Sequence, residues 1–181
     1  MMENLYEKTI HVQSIYKGKI VQLDLEEVEL PNGAHTKREL VRHPGAVAIL
    51  PITSTGKILL VRQFRKACEE VLWEIPAGKI EKGEKPEETA IRELQEETGY
   101  EPASLQKLYT FYTSPGFANE RIELFLASGL QKKPMPPDED EFIELVEVAW
   151  SEVEQLLEAG EIRDAKTLIA LQYWRLNAIT K

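Results

Sequence analysis

Residues 78–100 read GKIEKGEKPEETAIRELQEETGY, and this stretch decides both the fold and the chemistry expected of the chain. Pro86 suits the first position of a helix, where its missing N–H costs nothing, and Glu87 and Glu88 suit the first turn. Ala90, Ile91 and Leu94 form an apolar stripe that would dock on a core. Glu93, Glu96 and Glu97 stand at i, i+3 and i+4 and so fall along one side of the helix. They also stand at its C-terminal end, where the helix dipole disfavours anions. Each like-charge pair costs a few tenths of a kcal/mol. Carboxylates placed against both preferences are what a hard cation would repair. Mg²⁺ prefers carboxylate oxygens, keeps several waters and shares its shell with substrate phosphates.

A solvated acidic face is the competing reading, and it serves for EKPEE alone. It leaves the common register of Gly78, Glu84, Arg92-Glu93, Glu96-Glu97 and Gly99 unexplained. That pattern resembles the signature of the Nudix hydrolases: G, five residues, E, seven residues, R-E-apolar-x-E-E-x-G-apolar. Leu94 fills the inner apolar slot. Tyr100 fills the last with an aromatic residue where an aliphatic one is commoner. Far more positions are fixed here than in a lone glycine-rich motif.

The rest of the chain bounds the answer. Its 181 residues are enough for one domain, or for one domain with an appendage, around a real core. Hydrophobic residues make up 43% and charged residues 29%, the balance of a soluble globular protein, and no segment reads as a membrane span. The opening MMENLYEKTI has no basic flank followed by an apolar run, so no secretory signal is expected. A single cysteine, Cys68, excludes an internal disulfide and fits a reducing cytoplasm. The net charge of −9 argues against nucleic acid as a partner. It also means that an anionic substrate needs local help, from a metal or from placed arginines.

Residues 6–30 alternate and are rich in Val and Ile, and they read as two strands. Pro31-Asn32-Gly33 is a turn signal, and residues 35–42 read as the returning strand of a hairpin. The strands of this front section read as polar on both faces and poorly supplied with a core. Two apolar strands follow at 46–52 and 57–64, then a strand at 71–75, a turn at 76–78 and the acidic helix at 86–98. Strands at about 104–113 and 121–128 flank a loop at 114–116. Residues 132–141 (KKPMPPDEDE) read as a polar, proline-rich loop, and 142–150 as a strand. Ser151, with Glu154 three residues on, reads as the capping box of a short helix ending at Gly160. A last helix spans 163–177. The expected class is therefore α/β or α+β. The Nudix resemblance implies an α/β/α sandwich with a mixed sheet, carrying an antiparallel β-hairpin section in front. The expected division is 1–43, an N-terminal β section that forms a dimer, and 44–181, the hydrolase domain.

Further features resemble the ADP-ribose pyrophosphatase subgroup of that family. Pro115 lies sixteen residues after Gly99, Trp73 to Gly78 read WEIPAG, and Asp138 to Glu141 form an acidic loop. The Nudix enzymes that act on diadenosine polyphosphates tend to carry a tyrosine downstream, where this chain has Pro115, Gly116 and Phe117. By resemblance, Glu93 and Glu97 are metal ligands, helped by the Ala77 backbone carbonyl, with Glu96 a further ligand, directly or through water. Arg92 would orient these glutamates and Glu84 would partner it. Glu139 fits a general base carried on a mobile loop and Glu141 an additional metal ligand, and the two roles are interchangeable at this stage. Arg65 resembles a phosphate-gripping arginine, since a guanidinium fork suits non-bridging phosphate oxygens. Taken without the resemblance, an arginine such as Arg62 or Arg65 reads more readily as a snorkelling surface residue. Arg38 and Glu39 match positions at the adenosine end of the substrate. Ser114, Pro115, Gly116 and Glu120 match positions at the terminal ribose. His11, His35 and His43 have no zinc-like spacing.

The resemblance thus implies hydrolysis of ADP-ribose to AMP and ribose 5-phosphate with Mg²⁺, Mn²⁺ being the alternative cation, by a cytoplasmic homodimer with composite sites. Three other readings compete. Another nucleoside diphosphate sugar would use the same metal site. A non-catalytic ADP-ribose sensor has no need of the carboxylates. A structural Ca²⁺-binding helix lacks its loop pattern.

Overall fold

The computed structural model describes residues 5–136 and 141–178. Its elements run β1 (Lys8–Lys17), β2 (Gln22–Glu29), β3 (His35–Arg42), β4 (Ala46–Pro51), β5 (Ile58–Arg65), β6 (Glu70–Glu74) and β7 (Ala77–Lys79). There follow α1 (Pro86–Thr98), β8 (Tyr100–Glu101), β9 (Ser104–Tyr112), β10 (Arg121–Ser128), β11 (Gln131–Lys132), β12 (Ile143–Val148), α2 (Trp150–Glu158) and α3 (Ala165–Ala178). They form two compact units, one of Met1–Gly45 with Phe111–Arg121, the other of Ala46–Thr110 with Ile122–Lys181.

In the first unit β1, β2 and β3 make an antiparallel sheet, with Gln22 opposite Arg42 and Glu29 opposite His35. The Asn32 side chain caps the turn by accepting from the Ala34 N–H at 3.0 Å, and Gly33 takes the positive φ of 81°. Irregular register between Thr9 and His11, and between Ser14 and Tyr16, breaks β1 into short runs. Every residue of β1 is exposed, including Ile10, Val12, Ile15 and Tyr16. The section is therefore not polar on both faces, as its sequence suggested: it carries apolar side chains without covering them. The segment 111–121 returns to the end of β3. The Val41 N–H donates to the Phe117 carbonyl at 2.8 Å, and the His43 N–H to Asn119 Oδ1 at 2.7 Å.

The second unit holds the core. Its four-stranded sheet runs β7-β4-β10-β9, and within it β4 and β10 are parallel while β4 and β7 are antiparallel. β12-β5-β6 form an antiparallel sheet. All residues of β4 are buried, as a strand covered on both faces requires. Val47 and Ile49 pack on Ala90 and Leu94 of α1, together with Phe125 and Ala127 of β10. Ala48 and Leu50, on the alternate face, are equally buried, and α3 also contacts β4. The result is the expected α/β/α sandwich with a mixed sheet.

Two local expectations need correction, and one pairing is new. Ala77 and Gly78, expected in a turn at 76–78, belong to β7, whose three residues lack any strand propensity and are held by pairing with β4. The α2 cap lies two residues earlier than its sequence suggested: Ala149 is the N-cap, and its N–H donates to Glu152 Oε2 at 2.7 Å. Ser151 and Glu154 instead lie inside the helix. The pairing of β8 with β11, two residues each, has no sequence signature at all. Among the described residues, no helix is long and apolar enough to cross a membrane.

Candidate active site

The site is built at the C-terminal half of α1 and the strand facing it. Pro86 opens the helix, the Lys85 N–H donates to Glu88 Oε2 at 3.0 Å, and Gly99 closes it with φ 76°, its N–H donating to the Gln95 carbonyl. Ala90 and Leu94, fully buried, fix the rotation of α1 and thereby aim Glu93 at β7. There the side chain occupies the space over Gly78. A Cβ on Gly78 would lie 1.9 Å from the Glu93 carboxyl carbon and 2.0 Å from Oε1. The glycine is demanded by that volume.

Arg92 gathers the remaining acids. Its Nε donates to Glu84 Oε1 and its Nη2 to Glu84 Oε2, both at 3.1 Å, while Nη1 lies 2.8 Å from both Glu93 Oε1 and Glu96 Oε2. Thr89 Oγ1 adds a bond to Glu84 Oε2 at 2.8 Å. The Arg92 hydrogen bonds, with smaller help from Thr89, hold the Glu84 carboxyl below its usual range. Burial raises Glu93 to about 7; Arg92 opposes the shift, and Glu96 and Glu141 add to it. Glu97 is pushed well above the carboxylate range by burial first and then by Glu93 and Glu141, with the Ala77 backbone and Lys166 pulling the other way.

With Arg92 drawing Glu93 and Glu96 to itself, no three His, Cys, Asp or Glu side chains among the described residues are gathered as one cation's ligands. Two observations nevertheless fit these residues to a cation. Glu97 Oε2 is shut off from solvent and has no hydrogen-bond partner, a costly condition for a carboxylate. Glu93, only 8% exposed, is held beside it by space cleared at Gly78. Hard carboxylate oxygens suit a hard divalent ion.

The other residues marked in the sequence fall as follows. Glu141 lies within electrostatic reach of Glu93 and Glu97. Ala77 lies against Glu97 through its backbone. Glu139 lies outside the described residues. Arg65, at the end of β5, grips Glu74 with Nε and Nη2, both at 2.7 Å. Arg38, Glu39, Ser114, Pro115, Gly116 and Glu120 belong to the first unit. Arg38 is paired there with Glu7 at 2.9 and 2.7 Å, and Glu39 is exposed. Ser114 accepts from the Phe117 and Ala118 N–H groups to form the tight turn through Pro115 and Gly116, and Glu120 accepts from Thr113 Oγ1 at 2.7 Å. Arg62 pairs with Glu144 at 2.8 Å and lies over the Trp73 ring.

Residues 41–171 match the NUDIX domain. This chain belongs to the Nudix family. It is 53% identical over 177 residues to the ADP-ribose pyrophosphatase of Bacillus subtilis (strain 168), covering 97% of this chain and 96% of that one. It is 51% identical, with the same coverage, to the methanol dehydrogenase activator of Bacillus methanolicus. The crystal structure of an ADP compounds hydrolase superimposes with a TM-score of 0.83 over 94% of each chain, at 24% identity, and shares the fold. Nudix hydrolases generally use divalent metal ions.

One cluster of this Nudix chain escaped the sequence reading. Glu74, 1% exposed, accepts from Arg65 and from Lys166 Nζ, and Lys166 also lies 3.1 Å from Asp164 Oδ1. Asp164 caps α3 by accepting from the Thr167 N–H at 3.0 Å and from its hydroxyl at 2.6 Å. The Thr167 hydroxyl in turn accepts from the Ile75 N–H at 2.9 Å. Burial alone would raise the Glu74 carboxyl, but Arg65 and Lys166 together bring it below its usual range. Glu74 and Lys166 are 92 residues apart, and no spacing rule links them.

Proposed function

We propose that this chain hydrolyses the diphosphate of ADP-ribose to AMP and ribose 5-phosphate, with Mg²⁺ as its cation and Mn²⁺ as the alternative. The observation that carries the reading is the partnerless buried oxygen of Glu97 beside Glu93, in a chain 53% identical to an ADP-ribose pyrophosphatase. Glu93, Glu97 and the Ala77 carbonyl would hold the cation, with Glu96 and Glu141 completing the set. When bound, it supplies charge neutralisation at the diphosphate and a more acidic water. Arg92 keeps Glu84 and Glu96 in place through its three nitrogens. Arg65 grips a non-bridging phosphate oxygen, and its Nη1, outside the pair with Glu74, supplies the donor. Glu139 takes the proton of the attacking water, with Glu141 the alternative base. Arg38 and Glu39 serve the adenosine end, and Ser114 to Gly116 with Glu120 the terminal ribose.

Residues 1–43 are proposed as a dimer-forming section and 44–181 as the hydrolase domain. Exposed Ile10, Val12, Ile15 and Tyr16 support a second copy lying over β1. A reducing cytoplasm is the proposed setting, supported by the single free thiol of Cys68.

The deciding assay presents purified protein and Mg²⁺ with ADP-ribose, ADP-glucose, GDP-mannose, NADH and diadenosine polyphosphates, and identifies the products. AMP with ribose 5-phosphate, formed fastest from ADP-ribose, is expected. Faster cleavage of another nucleoside diphosphate sugar would replace this reading. That alternative draws on a 36% identical GDP-mannose pyrophosphatase of Yersinia enterocolitica. The likeness to the Bacillus methanolicus activator favours a second role alongside hydrolysis, as an activator of an alcohol dehydrogenase. Adding the protein to such an enzyme and following alcohol oxidation tests it.

A further inference from the structure

We propose that Lys166, near the start of α3, is a positioning residue for Arg65 and acts through their shared carboxylate, Glu74. The inference rests on the reading of Arg65 as the phosphate-binding arginine. In the β5–β6 ladder Glu74 stands opposite Val61, while Arg65 stands opposite Glu70. The Arg65 side chain must therefore lie back along the ladder to make its two bonds to Glu74. Its direction is set by Glu74, so whatever fixes Glu74 fixes the guanidinium.

Arg65 alone is a poor anchor for that purpose, being itself 40% exposed at the side chain. Lys166 is only 9% exposed and donates to the same oxygen of Glu74 that receives Arg65 Nη2. Its own ammonium is held in turn by Asp164, the cap of α3. The chain of contacts thus runs from the helix N-terminus through Asp164, Lys166 and Glu74 to Arg65. A parallel contact from Thr167 fixes Ile75, two residues before Ala77.

Charge matters as much as direction. A buried carboxylate gripped by one guanidinium makes a neutral pair with little left to attract a phosphate. Lys166 offsets part of the carboxylate charge at the oxygen it shares with Arg65; because Asp164 in turn balances the Lys166 ammonium, the four-residue cluster is neutral and the gain to Arg65 is local. Lys166 and Arg65 are also both within electrostatic reach of Glu97, which puts the cluster beside the residues proposed to hold the cation.

The test compares wild type with Lys166→Arg, Lys166→Gln and Arg65→Lys, alone and with Lys166→Gln and Arg65→Lys combined. Steady-state kinetics on ADP-ribose with Mg²⁺ are paired with calorimetric binding of α,β-methylene ADP-ribose in EDTA. Lys166→Gln removes the charge and leaves a polar side chain one bond shorter. It is expected to raise KM and weaken analogue binding together, by about 10- to 100-fold, with kcat much less affected. Lys166→Arg should restore most of the loss. In the Arg65→Lys background, Lys166→Gln should add little, because the two act as one unit. If Lys166→Gln lowers only Tm, leaving KM and analogue affinity at wild-type values, Lys166 is a structural staple and the proposal is wrong. Additive losses in the double variant would also overturn it, since Lys166 would then act without Arg65. A wild type that neither cleaves ADP-ribose nor binds the analogue would instead sink the substrate reading, which is a separate outcome.

Discussion

β1 and β4 are both regular strands, and they are opposites. All of β1 is exposed, while β4 is buried along its length and lies between α1 and other apolar cover. β1 carries as many large apolar side chains as a buried strand, yet it gains only what pairing with β2 supplies. β4 gains packing on both faces. An apolar strand is therefore not in itself a core strand. What decides is whether the sequence also supplies something to lie on it: for β4 that is the Ala90–Leu94 stripe of α1, and among the described residues β1 has no equivalent.

The comparison extends to charge. The first unit buries Asp24 and Glu26 and gives each a partner, Arg42 reaching both while Gln22 donates to Asp24 and Thr9 to Glu26. The second buries Glu93 and leaves an oxygen of Glu97 without a partner. If that difference separates structural from chemical carboxylates, Glu97→Gln should lower Mg²⁺-dependent turnover by at least about 10³-fold, metal chemistry being worth several kcal/mol of transition-state stabilisation. The fold, followed by circular dichroism, should be retained. Near-normal turnover of this variant would end the metal assignment.

The next largest effect separates the two loop acids. Glu139→Gln should lower kcat by about 10²–10⁴-fold with substrate and metal binding nearly unchanged, as removal of a general base does. Glu141→Gln should instead raise the Mg²⁺ concentration needed for half-maximal rate. The reverse pattern exchanges the roles. If both variants are near wild type, Glu96 becomes the candidate base.

Truncations sharpen the strand comparison directly. Leu94→Ala, under β4, should cost about 2–5 kcal/mol in denaturant unfolding. Val12→Ala on β1 should change stability by no more than about 0.5 kcal/mol in an isolated chain. A cost for Val12→Ala above about 1 kcal/mol that also grows with protein concentration would show β1 covered by a second copy, and sedimentation at micromolar concentration would then find a dimer.

The buried acids also predict an effect of pH. Glu93 titrates near 7 in the folded chain against 4.5 in the unfolded one, so folding favours its protonated form. The contribution is fully present below about 4.5 and is lost as pH rises through about 7. In EDTA, wild type should therefore lose stability across that window, by on the order of 3 kcal/mol. Glu93→Gln should lose less, and parallel curves for the two would contradict the raised value. Divalent cations should bind more tightly over the same rise in pH, since they displace the proton.

How much of this was legible beforehand depends on range along the chain. The α1 box could be read because its acids share one helix, where spacing fixes facing. The β1–β3 hairpins could be read from alternation and from Asn32-Gly33. The return of residues 111–121 to β3 could not, because it rests mainly on backbone bonds to Val41 and on one Asn119 side chain, 76 residues from its His43 partner. Nor could the Glu74–Lys166 pair, whose members come from elements with unrelated periodicities. β7 reads as a turn because its residues suit the carboxylate above them and have no strand propensity.

Gly78 has a consequence for descent. It has no left-handed backbone to protect, so a methyl group there would meet no conformational objection, and the atoms nearest to it would be those of the Glu93 carboxylate. The first casualty of such a change is the placement of one acid, not the sandwich. Among duplicated genes of this lineage, alanine in place of that glycine would mark the copies that kept their architecture and gave up their chemistry.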